Sequence, residues 1–261
     1  MEYAIIIPVA FGAALLTFFS GFGLGTILMP VFAIFFPVEI AIALTAIVHL
    51  VNNLFKASLI WKEIHWKVVL WFAVPAAFAA FGGAFLLNRL SGQTEIFNYE
   101  IGGHTMKITT LKLIIAVLLI FFALMEISRR MQKIRLKKKL LPLGGTLSGF
   151  FGGLSGHQGA LRSMFLLRAG LGKEGFIATG IAAAIVIDIS RLSVYGSSFF
   201  ARHFKALGDD STLLVVTACM AAFAGSYFGS KMLRKITFRG VQLTVGVLIL
   251  ALALLMAGGI I

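Results

Sequence analysis

The chain has 261 residues, 59% of them hydrophobic and 13% charged, with a formal net charge of +13. That composition excludes a soluble protein and leaves no room for a separate soluble domain. The positive excess would suggest nucleic acid in a soluble chain; here most of it lies in short connections, where it orients membrane spans, and no nucleic-acid partner is expected.

Eight apolar elements follow one another, at about 3–36, 40–60, 66–88, 110–128, 140–168, 174–200, 212–233 and 240–261. Stretches of about 20 apolar residues are long enough to cross a hydrocarbon core of roughly 30 Å. The N-terminal Met-Glu-Tyr lacks the basic region of a secretory signal and reads as mature sequence. The first and fifth elements are too long for a simple span, and both carry glycine clusters. The first reads Ser20-Gly-Phe-Gly-Leu-Gly25, the fifth Ser148-Gly-Phe-Phe-Gly-Gly153 and on through Ser155, Gly156, His157, Gln158 and Gly159. Each is expected to split into two half-helices around a non-helical break. Such a break is tolerated at membrane depth only where protein or a water-filled cavity surrounds it.

Between the fourth and fifth elements, residues 129–139 carry seven positive charges, which the positive-inside rule places in the cytoplasm; anionic lipid binding there is compatible. Residues 91–109 are polar, and alternation on both sides of Gly102-Gly103 predicts a small extramembrane β-hairpin. If all eight elements simply span, Lys231, Arg234, Lys235 and Arg239 fall outside. If the two long elements are re-entrant, that cluster moves inside with Lys62, Lys67, Arg168 and Lys173. The N-terminus, the 91–109 loop and the Arg202–Asp210 loop are then outside. The second topology fits the charges better, although two short full spans per long element would satisfy it too. The lone Cys219 lies in an apolar segment, where a buried packing role is expected.

The chain also repeats itself. Asn53-x-x-Lys56 is matched by Asp188-x-x-Arg191, Gly82-Gly83 with Leu90 by Gly225-Ser226 with Leu233, and Thr110-x-Lys112 by Thr237-x-Arg239. The order is kept at an offset of about 130 residues. Duplicated halves with glycine-broken segments in matching positions are the pattern of secondary transporters. Residues 1–128 form the first repeat, 129–139 a basic linker and 140–261 the second repeat. The fold expected is an all-α polytopic membrane protein of two inverted repeats, each with a glycine-broken first element and three further transmembrane helices.

A half-helix that restarts after a break directs free N–H groups and a positive dipole end into the protein, which suits an anion. The same glycines would also admit close helix packing. Charges at membrane depth are functional candidates. Lys56, Arg162 and Arg191 sit in apolar surroundings, with His49, Asn52, Asn53, His157 and Asp188 nearby in sequence. Arg162 either serves the second break or reaches the cytoplasmic surface. Asn53 and Lys56 lie three apart on one helix face, as do Asp188 and Arg191. Asp188 either neutralises Arg191 or leaves it for a ligand, and Lys56 either faces a ligand or reaches an interface. His157 is a proton exchanger, a hydrogen-bond donor or a helix cap. The candidate substrate-binding set is Gly23, Gly25, Thr26, Asn52, Asn53 and Lys56, with Ser155, Gly156, His157, Gln158, Asp188 and Arg191. No serine elbow, zincin motif, Walker motif or Cys/His metal spacing occurs. No enzyme activity, metal or cofactor is therefore expected.

Ser20-Gly-Phe-Gly-Leu-Gly-Thr-Ile-Leu-Met-Pro30 and Ser148-Gly-Phe-Phe-Gly-Gly-Leu-Ser-Gly-His-Gln-Gly159 resemble the sulfite exporter TauE/SafE family, also called the toluene sulfonate uptake permease family. So does the spacing to Thr45, to Asn52-Asn53-x-x-Lys56 and to Gly82-Gly83. The resemblance covers essentially the whole chain. The first-half glycine run is sparser than the family's usual pattern, and His157-Gln158 stands where small residues are common. The family implies transport of anions such as sulfite or organosulfonates across the cell (inner or plasma) membrane. The expected function is export by alternating access, the alternative an anion-selective channel. The expected partners are a small anion and the bilayer; a coupling proton or cation and a homodimer stay open.

Overall fold

The structure is a computed structural model that describes residues 2–17, 24–92, 95–102, 104–128, 137–167, 169–197, 208–232 and 238–261. Ten α-helices occur among these residues. In chain order they are α1 (Glu2–Thr17), α2 (Leu24–Phe32), α3 (Val38–Ile60), α4 (Trp66–Leu90) and α5 (Thr110–Ile127). After these come α6 (Leu141–Ser155), α7 (Gly159–Leu166), α8 (Lys173–Tyr195), α9 (Gly208–Met232) and α10 (Phe238–Ala257). Four segments are long and apolar enough to cross a membrane: Val38–Glu63, Trp66–Leu90, Lys173–Tyr195 and Thr212–Lys231. Shorter apolar helices run over Glu2–Thr17, Thr110–Met125 and Gly246–Ala257.

The long fifth element is broken. Helix α6 stops at Ser155, capped by Gly156 at φ +82°, and α7 restarts at Gly159. The left-handed backbone at Gly156 is what glycine tolerates and other residues resist. In the first long element, α1 ends at Thr17 and α2 starts at Leu24. Its Ser20, Gly21 and Gly23 lie outside the described residues.

Helix α4 lies along α6, and glycine sets the distance. Gly145, Gly149 and Gly153 follow one another at four-residue spacing, on one helix face. A Cβ on any of them would overlap the carbonyls of Phe72, Ala76 and Ala80 respectively. Gly83 of α4 packs in the same way on the Phe150 carbonyl. With little hydrophobic drive between helices in lipid, such close contact is what holds them together. Gly225 of α9 makes the corresponding approach to the Phe11 carbonyl of α1. The largest core cluster joins α1, α2, α3, α5, α9 and α10, and includes Ile6, Leu28, Phe32, Leu44, Ile115 and Leu119. A second joins α4 to α6, α7 and α8 around Phe72, Phe165 and Ile187.

The expected hairpin is present: β1 (Glu95–Ile101) pairs antiparallel with β2 (His104–Thr109), turning at Gly102, φ +60°. Lys107 Nζ lies 2.5 Å from Glu95 Oε1, and Asn98 Nδ2 donates to Oε2 at 3.4 Å. These contacts hold the Glu95 carboxyl below its ordinary range. Thr109 caps α5 by accepting from Lys112 N at 3.2 Å. Tyr99 donates to the Gly258 carbonyl, which fixes the hairpin at the C-terminal end of α10.

The opposite end of the molecule is basic. His65, Trp66, Lys67 and Trp71 from the start of α4 meet Lys138 and Lys139 before α6, together with Ala169, Gly170 and Leu171. His65 N donates to Thr179 Oγ1 of α8 at 3.1 Å, so the start of α8 lies here too.

Candidate substrate site

Helix α3 supplies the first wall of a buried cavity. His49, Asn53 and Lys56 are spaced four and then three residues apart, one helix face, and all three line it. Lys56 is 4% exposed. Asn52, one residue from Asn53, is turned about 100° round the helix. Its Oδ1 accepts from Ser226 Oγ of α9 at 2.8 Å instead.

Two helix starts face the same space. Leu24, Gly25 and Thr26, the first three residues of α2, line it, as do Gly156, Gln158 and Gly159 at the α6–α7 break. The first N–H groups of a helix have no partner within it and carry the positive end of the dipole. Arg162, one turn into α7, lines the cavity with its neighbour Ser163 and is 6% exposed. Among the described residues the buried Ser163 hydroxyl finds no hydrogen-bond partner. Thr17, at the end of α1, and Gly180, Phe176, Ile177 and Ile181 of α8 complete the wall. Gly180 lies against Arg162: a Cβ there would stand in ordinary contact, 3.5 Å from Arg162 Nε.

Behind the cavity stands a buried polar network centred on Asp188. Its Oδ1 accepts from Arg191 Nε at 3.0 Å and Nη2 at 2.7 Å, and from Gln158 Nε2 at 3.0 Å. Its Oδ2 pairs with His49 Nδ1 at 2.6 Å. Arg191, fully buried, also donates through Nη1 to the Gly152 carbonyl at 3.3 Å, near the C-terminal end of α6. A cation at that end meets the negative pole of the helix. Gln158 connects network and cavity, because its Oε1 accepts from Arg162 Nη1 at 3.2 Å. Ser148 Oγ donates to the Gln158 carbonyl at 2.9 Å and fixes the break from below.

Of the residues picked out from the sequence, Gly25, Thr26, Asn53, Lys56, Gly156 and Gln158 therefore meet at one cavity. Asp188 and Arg191 pair with each other beneath it. Ser155 turns back on its own helix, donating to the Phe151 carbonyl at 3.0 Å. The His157 ring stacks on Phe122 of α5 with centroids 5.6 Å apart, and its Nδ1 bonds the Ser155 carbonyl at 2.8 Å. His157 is thus directed at α5 and does not line the cavity. Gly23 lies outside the described residues. Arg162, a candidate charge at membrane depth by sequence, faces the cavity, and so does His49, named only as a polar neighbour; Thr17, Ser163 and Gly180 carried no signal.

The cavity has a volume of about 30 Å³. A water molecule needs roughly 10–15 Å³ on the same measure, so the cavity has room for about two or three waters. Two cationic side chains and no carboxylate are found among its described lining residues. Such a lining suits a small anion. No group of three or more His, Cys, Asp or Glu side chains gathers among the described residues.

Four helices long and apolar enough to cross a membrane, in a fold that encloses a small buried cationic cavity, mark an integral membrane protein. Residues 6–256 match the family model described as sulfite exporter TauE/SafE, and the chain belongs to that family. The family is one of membrane transporters for sulfite and related sulfur anions. No curated protein and no solved structure matches the chain.

Proposed function

We propose that the chain is a secondary transporter that exports a small sulfur oxyanion of the sulfite type by alternating access. The observation that carries this is the convergence of Lys56, Arg162 and the starts of α2 and α7 on one cavity. Helix dipoles and two cations replace the water that a desolvated oxyanion gives up. The volume suits an anion of a few heavy atoms and is too small for an aromatic sulfonate. A buried site of this size supports a carrier over an open pore.

The repeat reading rests on how the helices pair. Exchanging α1–α5 for α6–α10 turns the α1·α9 contact into α6·α4, α3·α9 into α8·α4 and α2·α10 into α7·α5. The pairs α3·α8 and α5·α10 map onto themselves. With α5 and α10 as spans, each half has three full spans besides its broken element, and the halves are inverted in the membrane. Helices α2 and α7 have 9 and 8 residues, or about 14 and 12 Å, half a bilayer core. That length favours re-entrant hairpins, with 1–128 and 140–261 rocking against each other about the linker. A negative cell interior favours anion exit by about 2.3 kcal/mol per charge per 100 mV, so export of a dianion needs no coupling ion.

Purified protein in proteoliposomes loaded with sulfite, sulfate, thiosulfate or sulfoacetate tests this. The expected result is saturable, voltage-sensitive efflux of sulfite or another small sulfur oxyanion, without unitary currents. Unitary anion currents would overturn the carrier reading. Binding of none of these anions would overturn the substrate class.

A further inference from the structure

The basic end carries a feature that the central cavity does not use. A groove of about 720 Å³ opens there between the first turns of α4 and α6 and the segment 169–171. Lys67, Lys138 and Lys139 line it, all exposed. Two tryptophans line it as well, Trp66 at 61% and Trp71 at 60% exposure.

We propose that this groove holds the headgroup and upper acyl region of an anionic phospholipid. The argument is the gradation along α4. Trp66 and Lys67 stand at the helix start beside Lys138 and Lys139. Trp71 lies five residues on, about 7.5 Å further along the axis. There Trp71 lines the groove, and the rest of its apolar lining includes Val68, Leu141 and half-buried Leu171. Charge at one end and an apolar wall below it match a phosphate above its glycerol and first methylenes. Tryptophans at both depths fit the interfacial zone, where their amphipathic rings collect. A free phosphate would use the lysines and have no need of the apolar depth. On the topology proposed above, the groove opens into the cytoplasmic leaflet, where anionic lipids draw basic segments.

Tryptophan quenching by lipid with brominated acyl chains tests the assignment, in a Trp61→Phe background so that only Trp66 and Trp71 report. Brominated phosphatidylglycerol should quench at low mole fraction, and brominated phosphatidylcholine only at high. A lysine near an anionic surface contributes about fivefold in affinity. Lys67→Gln, Lys138→Gln and Lys139→Gln should each raise the half-quenching mole fraction by about that factor, and the triple variant should behave as if the lipid were neutral. Should the triple variant fail to insert, the single variants carry the test. Anion binding at the central cavity should be unchanged in all of them, which separates this result from the transport reading. Equal quenching by the two lipids, no shift in the variants, or displacement of the lipid by millimolar inorganic phosphate would overturn the proposal.

Discussion

Lys56 and Arg162 face the cavity, and Arg191 faces Asp188. The three cations should therefore respond differently to the same substitution. Lys56→Gln and Arg162→Gln each remove a charge-assisted hydrogen bond to the anion, worth about 1.5–3 kcal/mol. Calorimetric titration should show affinity falling roughly 10- to 150-fold, with thermal stability near that of the parent. Arg191→Gln leaves Asp188 in the interior without the guanidinium that donates twice to its Oδ1, a loss of about 3–5 kcal/mol. Its signature is a lowered melting temperature rather than a selective loss of affinity. The opposite pattern, a stable Arg191→Gln that binds weakly, would place Arg191 on the substrate. The three-residue spacing of Asp188 and Arg191 made either role readable. What decided the geometry was Gln158 and His49, remote in sequence, which occupy the other positions around the carboxylate. His49 lies on the face of Asn53 and Lys56, and could have been found by following that face back one turn. Ser163 carries no such signal: a serine in an apolar helix usually bonds back to its own backbone, and only the fold shows that this one finds no partner among the described residues.

The glycine clusters turn out to serve two ends within a single element. Gly145, Gly149 and Gly153 admit the α4 backbone, and Gly156 makes the break. These should separate on substitution. In Gly149→Leu the side chain meets the Ala76 carbonyl, so α6 must move off α4. Overpacking of this kind costs about 1–3 kcal/mol. Gly156→Ala forces an L-residue into the left-handed region, at roughly 1–2 kcal/mol, and brings a methyl to 3.1 Å from Arg191 Nη1. Gly25→Ala meets only ordinary contacts, at 3.6–3.7 Å from His49, Gly156 and Thr45. Thermal unfolding in detergent should rank Gly25→Ala as the most stable of the three. A Gly156→Ala protein as stable as the parent would mean that the break accommodates a side chain. Both uses of glycine were readable from the sequence, but not which glycine has which. A four-residue spacing is common to a packing face and to a helix that ends, and only the neighbouring helix distinguishes them. The hairpin at 95–109 was more legible, because alternation around a Gly-Gly turn has few other solutions.

At the scale of the whole molecule, the ends of the helices bear on sidedness. The hairpin and the C-terminal end of α10 lie together, joined by Tyr99 and Gly258. The starts of α4, α6 and α8 lie together at the basic end. Hydrophobic length alone could not order these ends, since short apolar runs such as α2 and α7 read equally as half-spans or as pieces of one long helix. Lysine and arginine asymmetry supplied the orientation, and the packed ends agree with that grouping. Single cysteines at Ser91, Thr105, Lys137 and Lys231, in a Cys219→Ser background, test the two-sided arrangement in intact cells with an impermeant maleimide. Ser91 and Thr105 should label from outside, and Lys137 and Lys231 only after permeabilisation. Lys231 is the informative site, because it follows α9 and its side depends on whether the broken elements turn back or pass through. Labelling there without permeabilisation would require α6–α7 to cross as one long element, and the repeat would ask the same of α1–α2. The halves would then run parallel rather than inverted, and the two helix starts at the cavity would no longer be related by an axis in the membrane plane.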